Sequence, residues 1–279
     1  VKVTPEVKSN AVLMVGSQKG PTVWKGSMMS AGEAGTPAAM LGLMMRRYMH
    51  ETGATSLDFA NYAVLARKYA STNPNAFYYG KPITVEEHQA SRMVADPLHL
   101  LDCCQESDGG VALVIVSAER ARDLRQRPVY IRAAAQGSPK GTVSLGGFYK
   151  DNIWPFDECA ATARQLYSQS GMAPGDLDAA IIYDHFGPSV FPGLEAYGFC
   201  AKGEAKDFVK DGHLEIGGKL PINMHGGQLG EAYIHGMNGV AEAVRQLRGT
   251  AVNQVPGVRN MLVTAGSGLP TSAALLGVD

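Results

Sequence analysis

The stretch Leu220 to Gly249, LPINMHGGQLGEAYIHGMNGVAEAVRQLRG, restricts the possible folds more than any other part of the chain. Pro221 favours an extended entry, so Leu220 to Asn223 reads as a short strand. Gly226, Gly227 and Gly230 then supply a turn. From Tyr233 onward apolar side chains recur at Tyr233, Met237, Val240, Val244 and Leu247, a spacing that predicts one buried face of a helix. Arg245 and Arg248 suit its C-terminal end, and Gly249 stops it. A helix start offers unpaired N–H groups to an oxyanion, so a glycine turn crowded with Tyr, His and Asn makes a candidate site. The same glycines can equally serve a turn alone, and Tyr233 can be one more core residue.

Elsewhere the chain alternates strands and helices. Ala11 to Val15 is a possible strand, and residues 1–35 otherwise carry no periodicity. Thr36 and Pro37 start a helix as N-cap and first residue; it runs to about Thr52 with Met40, Leu43, Met44 and Tyr48 on one face. Thr55 with Asp58, and Thr84 with Glu87, are capping boxes that open two further helices, the first carrying Leu57, Tyr62, Leu65 and Tyr69. Arg92 to Leu98 reads as extended. Val111 to Val116 is a continuous apolar run, the pattern of a strand buried on both faces. Ala118 to Arg125 is a helix or turn, and Pro128 to Ala135 a strand. Pro155 to Ser170 is a helix with Phe156, Cys159, Ala163, Leu166 and Tyr167 inward. Ala179 to Asp184 is a buried strand, followed by a helix around Val190 to Phe199. Met261 to Ala265 and Ser272 to Leu276 are strands separated by a turn containing Gly266, Gly268 and Pro270. Strands alternating with helices from residue 128 onward predict an α/β layered fold.

Composition narrows the function. The chain has 279 residues, 45% hydrophobic and 18% charged, with a formal net charge of -1. That length suffices for one large α/β domain or two small ones, and the balance gives no electrostatic footprint for nucleic acid or an anionic membrane. No run approaches the length of a membrane span, and Val1 to Lys25 lacks the apolar core of a signal peptide. Cys103, Cys104, Cys159 and Cys200 have no metal-ligand spacing, and reduced thiols in the cytoplasm are the simplest expectation. A metal-dependent aldolase would need clustered His and carboxylate ligands, which the spacing does not offer. A Schiff-base aldolase would need a lysine inside an apolar strand, and every lysine, Lys219 included, sits in a polar or Gly-rich context.

Four motifs, DPLHLLDCCQESDGG (96–110), YDHFGPSVFPGLEAYGFC (183–200), LPINMHGGQLGEAYIHGMN (220–238) and TAGSGLPTSAALL (264–276), resemble the sterol-carrier-protein branch of the thiolase superfamily. Within that branch they are most similar to the steroid side-chain-cleaving aldolases of actinobacterial sterol and bile-acid degradation, also labelled lipid-transfer proteins. The resemblance covers about residues 36–279. It implies a layered α-β-α-β-α sandwich of two similar halves with an inserted loop domain. By it, residues 1–35 are an irregular N-terminal segment, 36–100 the loop domain, 101–127 the end of the N-terminal half and 128–279 the C-terminal half. Members of the family run well beyond this length, so most of the first half is expected to have no counterpart here.

The resemblance also indicates the chemistry. Where ordinary thiolases carry Gly-His-Pro, this chain has Ala232-Tyr233-Ile234; where they carry Asn-Glu-Ala-Phe or His-Asp-Cys-Phe, it has Tyr183-Asp184-His185-Phe186. Their second cysteine turn appears as Thr264-Ala265-Gly266. A threonine hydroxyl cannot replace a thiol as an acid or base near neutral pH. The aldolase subgroup uses two tyrosines, which Tyr183 and Tyr233 match as catalytic residues. Asp184 and His185 are fallback acid or base candidates, although Asp184 can equally tie down the strand end. His225, Gly226 and Gly227 are candidates to stabilise an oxyanion, while His225 and His235 read as readily as satisfied loop histidines. The implied reaction is retro-aldol cleavage of a 17-hydroxy steroid side-chain acyl-CoA thioester to a 17-ketosteroid and propionyl-CoA, with coenzyme A part of the substrate and no separate cofactor. The implied partners are a second copy of the chain and an accessory protein combining an OB-fold with a zinc ribbon. The alternatives are a non-catalytic thiolase-like scaffold that binds acyl-CoA or a partner, and a divergent acyl-CoA acyltransferase.

Overall fold

The computed structural model describes residues 12–18, 36–139, 157–266 and 271–279. The remainder of the segment 1–35, the first two residues of the helix expected from Pro155, and Gly268 and Pro270 of the final turn lie outside the described residues. The first strand, β1 (Val12–Gln18), overlaps the one expected from Ala11. Helix α1 (Pro37–Thr52) starts where the sequence placed it, with the Thr36 hydroxyl accepting from Ala39 N at 3.1 Å. Its interior face is Leu41, Gly42, Met45 and Tyr48, so the expected face is rotated, and Leu43 is exposed. An unbroken run without polar side chains from Pro37 to Met45 leaves the phase of this helix open. Packing of Tyr48 against Phe59 and Phe191, with ring centroids 6.4 and 6.2 Å away, selects it.

Helix α2 (Ser56–Thr72) opens on the expected capping box, Thr55 N donating to Asp58 Oδ2 at 2.7 Å. Tyr62, Leu65 and Tyr69 are buried as expected, whereas Leu57 faces outward. The second box gives α3 (Val85–Ala90), with Thr84 N donating to Glu87 Oε2 at 2.8 Å. A small hairpin follows, β2 (Met93–Ala95) with β3 (Leu98–His99). Then β4 (Gly109–Ile115) pairs antiparallel with β1, Val12 opposite Ile115 and Gln18 opposite Gly109. Burial of β4 on both faces does not hold among the described residues: its side chains alternate between exposed and half-buried, and Val114 is 76% exposed. Among the described residues β4 has β1 as its one strand partner, in a sheet of two strands.

After α4 (Ala118–Arg122) come β5 (Tyr130–Gly137), α5 (Asp157–Ser170), β6 (Ala179–Ile181), α6 (Val190–Ala196), α7 (Ala205–Phe208), α8 (Gly227–Gly230), α9 (Met237–Arg248), β7 (Asn260–Ala265) and β8 (Thr271–Gly277). The strands make one mixed sheet in the order β5-β8-β7-β6, antiparallel except for β6 beside β7. Ile222 adds a parallel bridge on the free side of β6, so the short extended piece expected over Leu220 to Asn223 lies beside that strand. Helix α5 lies along β5 and β8, and α9 along β6 and β7. Ala179, Ala180, Met261 and Leu262 have no solvent exposure, which is what near-continuous apolar strands covered on both faces produce.

Helix α9 departs from the expected pattern. It begins at Met237 instead of Tyr233, and its most buried positions include Asn238, Glu242 and Gln246, four residues apart on one face, beside Gly239, Ala243 and Leu247. Met237, Val240 and Val244 of the expected apolar stripe are half-buried. The polar face is tolerated because its groups are paired: Gln246 donates to Glu242 Oε1 at 2.9 Å and to Asn253 O at 2.7 Å, and accepts from Val255 N.

Candidate active site

Strand β6 ends at Ile181, and the chain runs on, buried, through Ile182, Tyr183 and Asp184. Tyr183 N donates to Thr264 Oγ1 of β7 at 2.9 Å, and Tyr183 O accepts from Ser189 Oγ at 3.1 Å. These bonds fix Tyr183 at the carboxyl ends of two parallel strands, the end at which α/β sheets bind ligands. Thr264, at the start of the Thr-Ala-Gly turn, thus holds the backbone of this tyrosine.

Tyr233 comes from the segment 231–236, which is a loop. Gln228, fully buried in α8, clamps it: its Oε1 accepts from Ile234 N and Gly236 N, both at 3.2 Å, and its Nε2 donates to Asn238 Oδ1 at 2.7 Å. Asn238 in turn donates to Ala232 O at 3.0 Å, and Tyr233 N donates to Ser107 Oγ at 3.1 Å. Two residues with positive φ, His235 (52°) and Gly236 (86°), bend the loop over the Tyr183 ring. A side chain at position 236 would press on that ring and on Ala265, so the close approach calls for glycine.

The result is a cluster of three polar side chains. The hydroxyls of Tyr183 and Tyr233 are 3.1 Å apart, and the Tyr183 hydroxyl is 3.1 Å from His235 Nδ1. Tyr233 Oη is 3.5 and 3.4 Å from the two His235 ring nitrogens. Tyr183 is 5% exposed, Tyr233 half-buried and His235 exposed, so the cluster runs from the interior to solvent. Burial raises both phenols above the ordinary tyrosine value, and Tyr183 is raised further by Tyr233. Burial also holds His235 below the ordinary histidine value.

The other expected site residues are placed differently. Asp184 is 1% exposed; it accepts from Tyr62 Oη at 2.6 Å and from Gln228 N at 2.7 Å. Its carboxylate therefore occupies the start of α8, whose N–H groups the sequence offered to an oxyanion, and an internal anion already fills that position. Burial raises Asp184 to about 6 against these hydrogen bonds. Gly226 and Gly227 have φ of 109° and 66°. A side chain at 226 would meet Ala70 of α2, and one at 227 would overlap the Asp184 carboxylate, so the pair makes a packed turn. His225 is apart from the tyrosines: it is buried, its Nε2 lies 3.8 Å from Glu231 Oε2, and burial lowers it to about 4. His185 stacks at a tilt on Tyr183, ring centroids 4.8 Å apart, and is lowered to about 3 by burial and by His235. Cys104 is within electrostatic reach of both phenols, and burial pushes its thiol up to about 12, as it does that of Cys103.

Sequence reasoning missed Gln228 and Tyr62 as residues of the site, and read His235 as a satisfied loop histidine. Extending α9 back to Tyr233 hid His235, because a helix would separate residues two apart, whereas a loop places 233 and 235 together. Among the described residues, no group of three or more His, Cys, Asp or Glu side chains is arranged to hold a metal ion.

Residues 148–276 match the family model described as thiolase C-terminal domain-like. A solved structure, the Ltp2-ChsH2(DUF35) aldolase, is similar over 97% of this chain and 73% of that one, with a TM-score of 0.92 and 54% identity. The chain belongs to the thiolase superfamily. It is 61% identical over 244 residues to the steroid side-chain-cleaving aldolase of Thermomonospora curvata, covering 88% of this chain and 62% of the relative. It is 59% identical over 242 residues to the 17-hydroxy-3-oxo-4-pregnene-20-carboxyl-CoA lyase of Mycobacterium tuberculosis, covering 87% and 63%. The chain thus spans less than two thirds of the length of these two relatives. Its fold is the thiolase-like α/β fold expected from the sequence.

Proposed function

We propose that the protein is a carbon–carbon lyase that cleaves the side chain of a 17-hydroxy steroid acyl-CoA thioester by a retro-aldol reaction, releasing a 17-ketosteroid and propionyl-CoA. The observation that carries this reading is the pair of phenols 3.1 Å apart at the sheet's carboxyl ends. The similarity to two proteins named as a steroid side-chain-cleaving aldolase and a 17-hydroxy steroid carboxyl-CoA lyase supports the substrate class. In this reaction one phenol receives the hydroxyl proton and the other protonates the enolate left on the thioester. Coenzyme A enters as part of the substrate, and the chemistry needs no resident cofactor.

On the same reading the chain works in the cytoplasm as a homodimer with an OB-fold and zinc-ribbon accessory chain; the two-component name of the similar aldolase structure supports a heteromeric partner. Residues 36–100 are its loop domain, 101–127 the end of the first half and 128–279 the second half.

Tyr183→Phe and Tyr233→Phe test the reading, since each removes one oxygen and keeps the ring. Each variant should lose about 100-fold to 10,000-fold in turnover of the thioester while keeping the wild-type melting temperature. Near wild-type turnover in both would reduce the tyrosines to core residues. Release of free coenzyme A in a thiolysis assay would favour an acyltransferase instead.

A further inference from the structure

The retro-aldol reading leaves one difficulty, on which the following inference rests. A phenol is a weak base at neutral pH, and burial moves both phenols further from ionisation. Of the groups the sequence offered to an oxyanion, the start of α8 is already taken by Asp184, and His225 lies beside Glu231 with no hydrogen bond to either phenol. What the structure places against both phenols is the His235 ring.

We propose that His235 is the proton store of the tyrosine pair: it takes a proton from one phenol as that phenol accepts the substrate's hydroxyl proton, and returns it after cleavage. Three observations carry this. His235 Nδ1 lies 3.1 Å from the Tyr183 hydroxyl, within hydrogen-bond distance, and the Tyr233 hydroxyl, 3.4 to 3.5 Å from the ring nitrogens, connects to it through the Tyr183 hydroxyl 3.1 Å away. The ring is also the most exposed member of the cluster, so a charge formed there lies nearer to water than one on either phenol. Lastly, its backbone is held in the left-handed region, φ 52°, between two amides that both donate to the buried Gln228 side chain. A non-glycine residue kept in that conformation by a dedicated clamp has its position over-determined.

The proton count closes. The substrate O–H bond breaks and its proton goes to the first phenol's oxygen, while that phenol's own proton goes to an imidazole nitrogen. The bond between the carbinol carbon and the α-carbon breaks, its electron pair passes into the thioester enolate, and the carbinol becomes a ketone. The enolate carbon takes its proton from the second phenol, and the imidazolium refills the pair. The hydroxyl proton has been replaced by one on carbon, with no oxidant or reductant involved.

The groups facing His235 are Tyr183 and His185 from the segment after β6, and Tyr233 from its own loop, with Cys104 near the phenols and Asp184 behind Tyr183. Burial holds His185 to about 3 and Cys104 at about 12, so neither changes charge between pH 5 and 8. Asp184, raised to about 6, does titrate in that range and is common to wild type and variants.

The test uses the natively assembled protein with a 17-hydroxy steroid 20-carboxyl-CoA thioester, comparing wild type with His235→Gln and His235→Ala. The exposed position predicts that both fold with unchanged melting temperature. The expected result is a fall in kcat on the order of 100-fold with little change in KM, loss in His235→Gln of the part of the acidic limb that depends on His235, and partial rescue of His235→Ala by added imidazole. Wild-type kcat in both variants would overturn the proton store and leave the retro-aldol reading standing. A reduced kcat with the full acidic limb and no rescue would also overturn it, leaving His235 a packing residue. A wild-type protein that does not cleave the thioester would overturn the retro-aldol reading and the proton store with it.

Discussion

Asp184 gives the chain a pH dependence that can be worked out in advance. The carboxyl is 1% exposed, and burial raises it from 3.8 to about 6 in the fold. Because the folded state binds this proton more tightly than the unfolded one, its contribution to stability is complete below about pH 4 and is lost as pH rises through about 6. Moving a carboxyl between those values corresponds to about 3 kcal/mol at ~1.4 kcal/mol per pH unit. His185 and His225 act in the opposite sense. Burial lowers them to about 3 and about 4, so their contributions are present above the ordinary histidine value and are lost as pH falls through the folded ones. The bare stability profile therefore mixes opposing slopes, and an isosteric variant separates them. Asp184→Asn keeps an oxygen for Gln228 N and an amide that can face Tyr62, but it cannot ionise. Urea unfolding of both proteins from pH 3.5 to 7.5 should show the wild type losing about 3 kcal/mol relative to Asp184→Asn as pH rises. A difference that stays flat, or that grows in favour of the wild type with pH, would refute the buried, internally bonded carboxylate.

Two further outcomes follow from the same site. Gly227→Ala puts a methyl group where the Asp184 carboxylate sits, at φ 66°, and should destabilise by about 2–5 kcal/mol from left-handed strain plus disrupted buried hydrogen bonds; a change in unfolding free energy below about 1 kcal/mol would contradict the packed turn. Cys103 and Cys104, both pushed up to about 12, are neutral thiols at pH 7, so Cys103→Ser and Cys104→Ser should leave turnover within a few-fold of wild type; loss of turnover at preserved melting temperature in either would revive thiol chemistry.

Local chemistry in this chain was legible wherever a signal and its consequence lie within one turn of backbone. Thr36 with Pro37, Thr55 with Asp58 and Thr84 with Glu87 start helices where the sequence places them, because a cap satisfies N–H groups two or three residues away. The apolar strands Ala179 to Ile181 and Met261 to Val263 are likewise written in their own residues. Tertiary structure alone decided what those residues meet. An apolar helix such as α1 has several possible faces, and only the partners across the interface choose one. The Asp184 carboxylate fills the α8 start because Tyr62, far away in sequence, holds its other oxygen. His235 reaches the phenols because Gln228 keeps residues 234–236 out of the helix, and hydrogen bonds from two backbone N–H groups to a buried side-chain amide oxygen leave no periodic trace in the sequence.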